Sequence, residues 1–310
     1  MFNPSLQLFI EQCLNGLQFG IMLFLITAGL TLVVGIMNFV NLAQGSLFML
    51  GAFIAASFAA ATGNYYLAVP VAVAGVAVLG AVLEVLVVSK FYHRQHLDQV
   101  LATFGLILIL NEVARMLWGA QGLTVALPAE LNRSIELLPG LTYPLFRFTF
   151  IVFGLATAFL LYLLISRTRV GMLIRAGASD RDMVRGLGVN INLLFTLVFG
   201  LGAALAGLAG GLSAPIMSAS VGMGESVLML GFVVIVLGGI GSIRGAFWAA
   251  LLVGFIDTLG RSYITTLLSL LLGSKTGATL GPSLAGMTIY ILMATVLAIR
   301  PEGLFKAGTT

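Results

Sequence analysis

The chain has 310 residues, of which 60% are hydrophobic and only 8% charged, with a formal net charge of +4. Soluble domains carry roughly 25% charged residues, so a soluble globular fold is excluded. Apolar runs of about 18 or more residues recur along the whole length, which reads as an all-α, polytopic membrane protein; a transmembrane barrel would show alternating segments of about ten residues.

The first span is expected over about Phe9 to Val34. Its polar residues Gln12, Asn15, Gln18 and Thr27 predict one face packed inside the protein. An amide-rich break follows, Gly35 to Ser46 (GIMNFVNLAQGS), then a second span to Ala61 and a third over about Leu67 to Val88. Glu84 lies within the third span and should face the interior, because a carboxylate is costly in lipid. The loop Ser89 to Gln99 carries Lys90, Arg94, His93 and His96. Two histidines with one nearby acid and no cysteine make a poor metal set, so no metal and no cofactor is expected. The lone Cys13 provides no disulfide and reads as a small apolar side chain.

The fourth span, about Val100 to Trp118, ends with Asn111, Glu112 and Arg115, the last two spaced to pair. A polar loop, Gly119 to Tyr143, precedes the fifth span, Pro144 to Ile165. The sixth, Leu193 to Leu212, contains Gly207 and Gly211 in a GxxxG spacing that permits close helix approach. A polar break from Pro215 to Glu225 leads to a short seventh span, Ser226 to Leu237, closed by GGIGSIRG. The eighth runs from about Ala246 to Ile264 and includes Asp257 one turn before Arg261. Thr265 to Gly281 reads as interfacial, and the last span as Ser283 to Ile299. The expected count is nine.

Positive charge fixes the orientation. The Ser89 to Gln99 loop, the segment 166–192 and the C-terminus are cytoplasmic by the positive-inside rule, and the N-terminus is outside. That distribution accounts for the basic excess without nucleic acid.

Ser46-Leu47-Phe48-Met49-Leu50-Gly51 recurs as Ser226-Val227-Leu228-Met229-Leu230-Gly231, and Ala28-Gly29-Leu30 as Ala206-Gly207-Leu208. The copies are five spans apart, an odd number, so the second is inverted. Inverted repeats place a transport pathway near interrupted helices. A Walker A loop, a zinc-protease motif and a nucleophile elbow are all absent from the sequence. Gly239 to Arg244 reads as a tight turn rather than a nucleotide loop. The chain is therefore expected not to be an enzyme. Glu84 and Asp257 leave open an ion-coupled secondary transporter.

Segment 166–192 concentrates Arg167, Arg169, Arg175, Arg181 and Arg185. Ser179 as N-cap with Asp182 three residues on predicts a short helix from Asp180 to Leu187, ended by Gly186 and Gly188. Met183, Val184 and Leu187 share one face of it, Arg181 and Arg185 another. Such a helix suits a groove on a partner; the bland alternative is an interfacial helix on anionic lipid.

The segments GLTLVVGIMNFVNLAQGSLFMLGAF, RTRVGMLIRAGASDRDMVRGLGVN, GGIGSIRGAFWAALLVG and RPEGLF together resemble LivH-type permease subunits of branched-chain amino acid ABC transporters, in family order. The resemblance implies the type II importer architecture, a single permease domain over 1–310, and a bacterial inner-membrane location. Within that domain the first half is about 1–165, the coupling loop 166–192 and the second half about 193–310. It implies a LivM-type permease partner, LivG- and LivF-type ATPases and a periplasmic substrate-binding protein. Urea and short-amide importers share these motifs, and a sugar importer is a further alternative. Carried onto this chain, the segment around Arg175, Ala176, Asp180 and Gly186 resembles the ATPase contact. The repeat and its polarity, rather than a family motif, make Asn38, Asn41, Gln44, Ser46, Ser220, Glu225 and Ser226 the candidates for the translocation path.

Overall fold

A computed structural model describes residues 4–92, 94–138 and 140–305, without the side chains of Pro4, Ser5, Leu138, Arg181, Asp182 and Leu272. In bilayer, backbone groups must bond within their own segment, so the apolar runs become helices. In chain order these are α1 (Pro4–Met37), α2 (Gln44–Thr62), α3 (Tyr65–Leu86), α4 (His96–Trp118), α5 (Leu145–Arg167), α6 (Arg169–Ser179), α7 (Arg181–Gly186), α8 (Ile191–Met217), α9 (Met223–Gly238), α10 (Ile243–Leu272) and α11 (Ser274–Ile299). A 3-10 turn covers Val88–Phe91, and an antiparallel hairpin pairs β1 (Ser134–Leu138) with β2 (Leu141–Pro144). Among the described residues eight helices are long and apolar enough to cross a membrane; α9, with 16 residues, is the shorter ninth that the sequence also marks as short.

The chain divides into two compact units. One comprises Leu25–Pro128 and Ala156–Leu230. Here α8 packs against both α2 and α3, and glycines set the spacing. A Cβ on Gly51 would stand 2.6 Å from Gly207 Cα, and one on Gly207 would stand 2.8 Å from Val76 Cβ of α3. Gly210 has no room for a side chain before the Phe48 carbonyl. The close approach expected of Gly207 and Gly211 is thus made by Gly207 and Gly210; Gly211 makes ordinary contact with Ala55 and accepts, at its carbonyl, the Tyr65 hydroxyl at 3.0 Å. Trp118 stacks on Phe53 with ring centroids 5.0 Å apart and donates to Ser57.

The other unit comprises Met1–Phe24, Ala129–Leu155 and Gly231–Thr310. The start of α1 crosses α10 through Gly16, Gly20 and Gly254; a Cβ on Gly20 would be 2.9 Å from the Ala250 carbonyl. Asn15 on α1 accepts hydrogen bonds from Tyr143 (3.2 Å) and Arg147 (2.7 Å). Burial pushes the Tyr143 phenol up to about 12, against the partial counter-effect of Arg147, so it remains a donor. The terminal RPEGLF segment docks back on the glycine turn after α9: Leu304 N donates to the Leu237 carbonyl at 2.7 Å. Gly239 and Gly241 have φ of 96° and 83°, and Ser242 caps α10 through Gly245 N, so this is the expected tight turn.

Three expectations are corrected. Thr265 to Gly281 is not interfacial: α10 continues to Leu272, and after Gly273 at φ 88° α11 begins, nine residues before the expected start of the last span. Gly277 and Gly281 let α11 pack on Ser269 and Thr265, which keeps both helices intact. The loop Gly119 to Tyr143 contains the β-hairpin, turned at Gly140 with φ 87°. The Ala28-Gly29-Leu30 match lies outside the repeat's register. Gly29 faces Gly202 and Gln44, whereas Gly207 faces α3, so the two glycines do different work.

Candidate functional site

The two polar breaks have the same construction. α1 ends at Met37 and Asn38 takes φ 49°; α8 ends at Met217 and Ser218 takes φ 58°. These are the only non-glycine residues with positive φ among those described, and residues 38 and 218 are 180 positions apart. The matched sextets at Ser46 and Ser226 have the same spacing, as do the Ile36-Met37 and Ile216-Met217 pairs and the helix-weakening Gly35 and Pro215. A residue with positive φ ends each helix and turns the chain back. Asn tolerates positive φ, whereas Ser218 pairs φ 58° with ψ 140°, a sparsely populated conformation that costs about 1–3 kcal/mol.

The first break is held from inside. Asn41 is buried; its Oδ1 accepts from Ala43 N at 3.1 Å and its Nδ2 donates to Gln44 Oε1 at 3.3 Å. Gln44, 1% exposed, donates through Nε2 to the Gly202 carbonyl at 2.8 Å. The helical rise places Gly202 about 16 Å into α8 from its start at Ile191. On the other side of the break, Phe39 packs edge-on against Tyr92 of the basic loop. The chain therefore reaches the basic side at the end of α1 and climbs back into the interior before α2 begins. Ser46 Oγ is buried without a hydrogen-bond partner among the described residues.

The second break is held more loosely. Ser220 N and Gly222 N donate to sulfur, Met223 Sδ at 3.5 Å and Met49 Sδ at 3.4 Å. Leu123 and Ala219 form a short antiparallel bridge. Glu225 and Ser226 are exposed on the first turn of α9, Ser220 is half-buried, and Asn111 donates to Glu225 at 2.7 Å. The two helix starts meet directly: Cβ atoms built on Gly45 and Gly224 would each strike the other's backbone. The starts of α2 and α9 thus lie at one depth in this unit.

The sequence candidates for the path fall into two sets. Asn41, Gln44 and Ser46 are buried in the framework of the first break. Asn38, Glu225 and Ser226 are exposed and Ser220 is partly so. Sequence reasoning missed Asn111, Met49 and Gly202; Gly35, Pro215 and the Ile-Met pairs were the readable signals for the register.

The charged segment forms two short helices. Thr168 caps α6 through Gly171 N at 3.1 Å, and Gly171, Ile174 and Gly177 form its buried face. Gly177 packs beside Leu194, and Arg175 donates to the Ile165 carbonyl. The expected cap is corrected by one residue. Ser179 ends α6, and Asp180 is the N-cap of α7, accepting from Met183 N at 3.0 Å. Gly188, with φ 84°, stops the helix two residues after Gly186. The proposed apolar face also divides: Val184 is 4% exposed and packs inward, while Met183 and Leu187 are 67% and 78% exposed. Ala176 and Arg185 are exposed; the Arg181 and Asp182 side chains lie outside the description.

Glu84, Glu112 and Asp257 each have a partner. Glu84, 2% exposed, accepts from Tyr92 and from Thr196 at 2.5 Å. Glu112 pairs with Arg115 at 3.1 Å and Asp257 with Arg261 at 2.9 Å, as their spacing predicts. His93 lies outside the described residues, so its relation to His96 is not described.

A family model described as "Branched-chain amino acid transport system / permease component" matches residues 12–297. The chain is 26% identical to the high-affinity branched-chain amino acid transport system permease protein BraD of Pseudomonas aeruginosa, over 97% of both chains. It is 28% identical to the corresponding LivH protein of Escherichia coli K12, over 83% of this chain and 88% of that one. A probable LivH permease of Methanocaldococcus jannaschii is 29% identical over 91% of this chain and 88% of its own length. No solved structure matches the chain.

Proposed function

We propose a function from one premise: the chain belongs to the family of permease components of branched-chain amino acid transport systems. On that premise it is the membrane-spanning permease subunit of an ATP-driven importer and forms the path for leucine, isoleucine and valine or related small amides. The names of its relatives support that substrate class. The observation that carries the transport role is the pair of inverted helix breaks meeting at Gly45 and Gly224, because interrupted helices in inverted repeats border transport pathways. The path runs past the exposed second break, at Ser220, Glu225 and Ser226, and past Asn38. Asn41, Gln44 and Ser46 hold the first break as a fixed wall.

In this reading the protein sits in the bacterial inner membrane with its basic loops in the cytoplasm. It assembles with a LivM-type permease, LivG- and LivF-type ATPases that hydrolyse the ATP, and a periplasmic binding protein that supplies selectivity. Two neighbouring apolar side chains exposed on a short charged helix favour a partner's groove, so Met183 and Leu187 are the motor contact. Val184 anchors α7 to the permease, and α6 carries the movement inward through Ile174 and Gly177. Closure of the ATPases shifts the second break, where Ser220 N and Gly222 N donate only to weak sulfur acceptors, while the amide-locked first break stays in place.

Uptake of leucine into vesicles tests this reading. The expected result is uptake that requires ATP and the binding protein and survives collapse of proton and sodium gradients. Uptake that persists without ATP and follows an ion gradient contradicts it. Met183→Asp with Leu187→Asp should lower copurification of the ATPases by roughly tenfold, as for the loss of a central apolar anchor. Arg181→Glu with Arg185→Glu should weaken it less, with membrane insertion intact. Normal copurification of the first variant removes the docking assignment.

A further inference from the structure

The basic loop between α3 and α4 holds a cavity of about 490 Å³ lined by Lys90, Phe91, Arg94, Asp98, Leu101 and Ala102. Among the described residues neither Lys90 nor Arg94 is in an ion pair, and with Asp98 the lining carries a net positive charge. The cavity wall is built. Gln99, 3% exposed, donates to the carbonyls of Phe91 and Arg94, both at 3.3 Å, and Arg94 N donates to the Phe91 carbonyl at 3.1 Å. The Tyr92 hydroxyl is tied to buried Glu84. These bonds fix the backbone from which both basic side chains project.

The surroundings identify the ligand chemistry. Leu97, Leu101, Phe104 and Leu108 follow one another at helical spacing along α4, and each is more than half exposed. In a membrane span such a stripe faces acyl chains. Leu101 belongs both to the stripe and to the cavity, so the apolar surface runs without interruption into the basic lining. α3 ends at Leu86 and α4 begins at His96, which puts the cavity at a membrane boundary, and the positive-inside rule makes that boundary cytoplasmic. Basic pockets at this depth complement a phosphate headgroup.

We propose that this cavity is a binding site for one anionic phospholipid of the cytoplasmic leaflet, with the phosphate between Lys90 and Arg94 and an acyl chain along Leu101, Phe104 and Leu108. Asp98 repels a second negative group, so the site takes a singly charged headgroup in preference to a multiply charged one. The site does not depend on which substrate the protein carries.

Native mass spectrometry of the full-length protein in detergent tests it, with phosphatidylglycerol and phosphatidylethanolamine supplied in equal amounts. Wild-type protein should retain phosphatidylglycerol in several-fold excess. Lys90→Gln with Arg94→Gln should reduce that retention by roughly tenfold and leave phosphatidylethanolamine unchanged. Ala102→Trp, which fills the cavity without changing its charge, should do the same and decides the matter if the double variant inserts poorly. Equal retention of both lipids by wild type overturns the proposal, as does undiminished phosphatidylglycerol on the Ala102→Trp protein. Loss of ATPase subunits from the double variant with lipid retention intact also overturns it, because the basic pair would then face a protein.

Discussion

The two helix breaks have the same register and the same turned-back residue, yet they are held by different chemistry. At residues 38–46 the fold buries two amides and a hydroxyl and ties Gln44 to α8 at 2.8 Å. At 218–226 no buried amide side chain locks the break: Ser220 N and Gly222 N donate to methionine sulfurs, Ala219 exchanges backbone bonds of 2.7 and 2.8 Å with Leu123, and the carboxylate of Glu225 is exposed. A buried amide network is costly to break, because each group left unpaired loses its full solvation. Sulfur is a weak acceptor, so its contacts are readily exchanged. In the function proposed above, the first copy is the fixed wall and the second the part that adjusts.

The largest effect should come from removing the contact common to both copies. Gly45→Leu or Gly224→Leu drives a side chain into the facing backbone, where overpacking costs about 1–3 kcal/mol or more. Either variant should abolish leucine uptake and lower the thermal midpoint; normal uptake would break the comparison at its root. Next is Gln44→Ala, which removes the side-chain tie to the Gly202 carbonyl and strands the Asn41 amide, at about 1–3 kcal/mol in denaturation. Met49→Leu, which removes the sulfur acceptor for Gly222 N at the second break, should cost less, under about 1.5 kcal/mol. Equal losses for these two would erase the distinction between wall and adjustable break.

Ser218→Gly sharpens the comparison from the backbone side. Relief of a positive φ should stabilise the protein by up to about 1 kcal/mol, whereas Asn38→Gly should be nearly neutral because Asn tolerates that conformation. The smallest stability change is expected for Glu225→Gln, within about 0.5 kcal/mol at an exposed site. Its effect should appear instead in uptake, as a raised half-saturation concentration.

Much of the helical order was legible because apolar length is a strong signal. α4 and α5 end within a few residues of their expected positions, and Glu84 is buried with partners, as its cost in lipid requires. Where the reading failed, local signals competed. Ser179 and Asp180 are both good N-caps; α6, with its own cap at Thr168, runs through Ser179 and leaves Asp180 for α7. Thr265 to Gly281 reads as interfacial because the apolar run from Leu267 is short by itself; it is the end of a longer helix that passes through Thr265 and Thr266. The hairpin is marked in the sequence by Pro139-Gly140 between short apolar runs, but the polarity of the whole loop masks that local period-two signal.

The site was legible as a pair of polar breaks but not as two different kinds of break. Asn41 and Gln44 have the composition of a polar pathway, and only their burial shows that they brace the first break from inside. Similarly, the glycines of α8 announce close approach, but which neighbour each one faces depends on packing between segments far apart in sequence.

Hydrogen exchange, followed segment by segment in the reconstituted transporter with and without ATP turnover, tests the central claim most directly. Amides of residues 218–225 should lose protection by about tenfold or more during turnover, a local opening at the low-stability end of the fold, while those of residues 38–47 stay unchanged. Equal loss of protection in both segments, or loss confined to residues 38–47, would contradict the account.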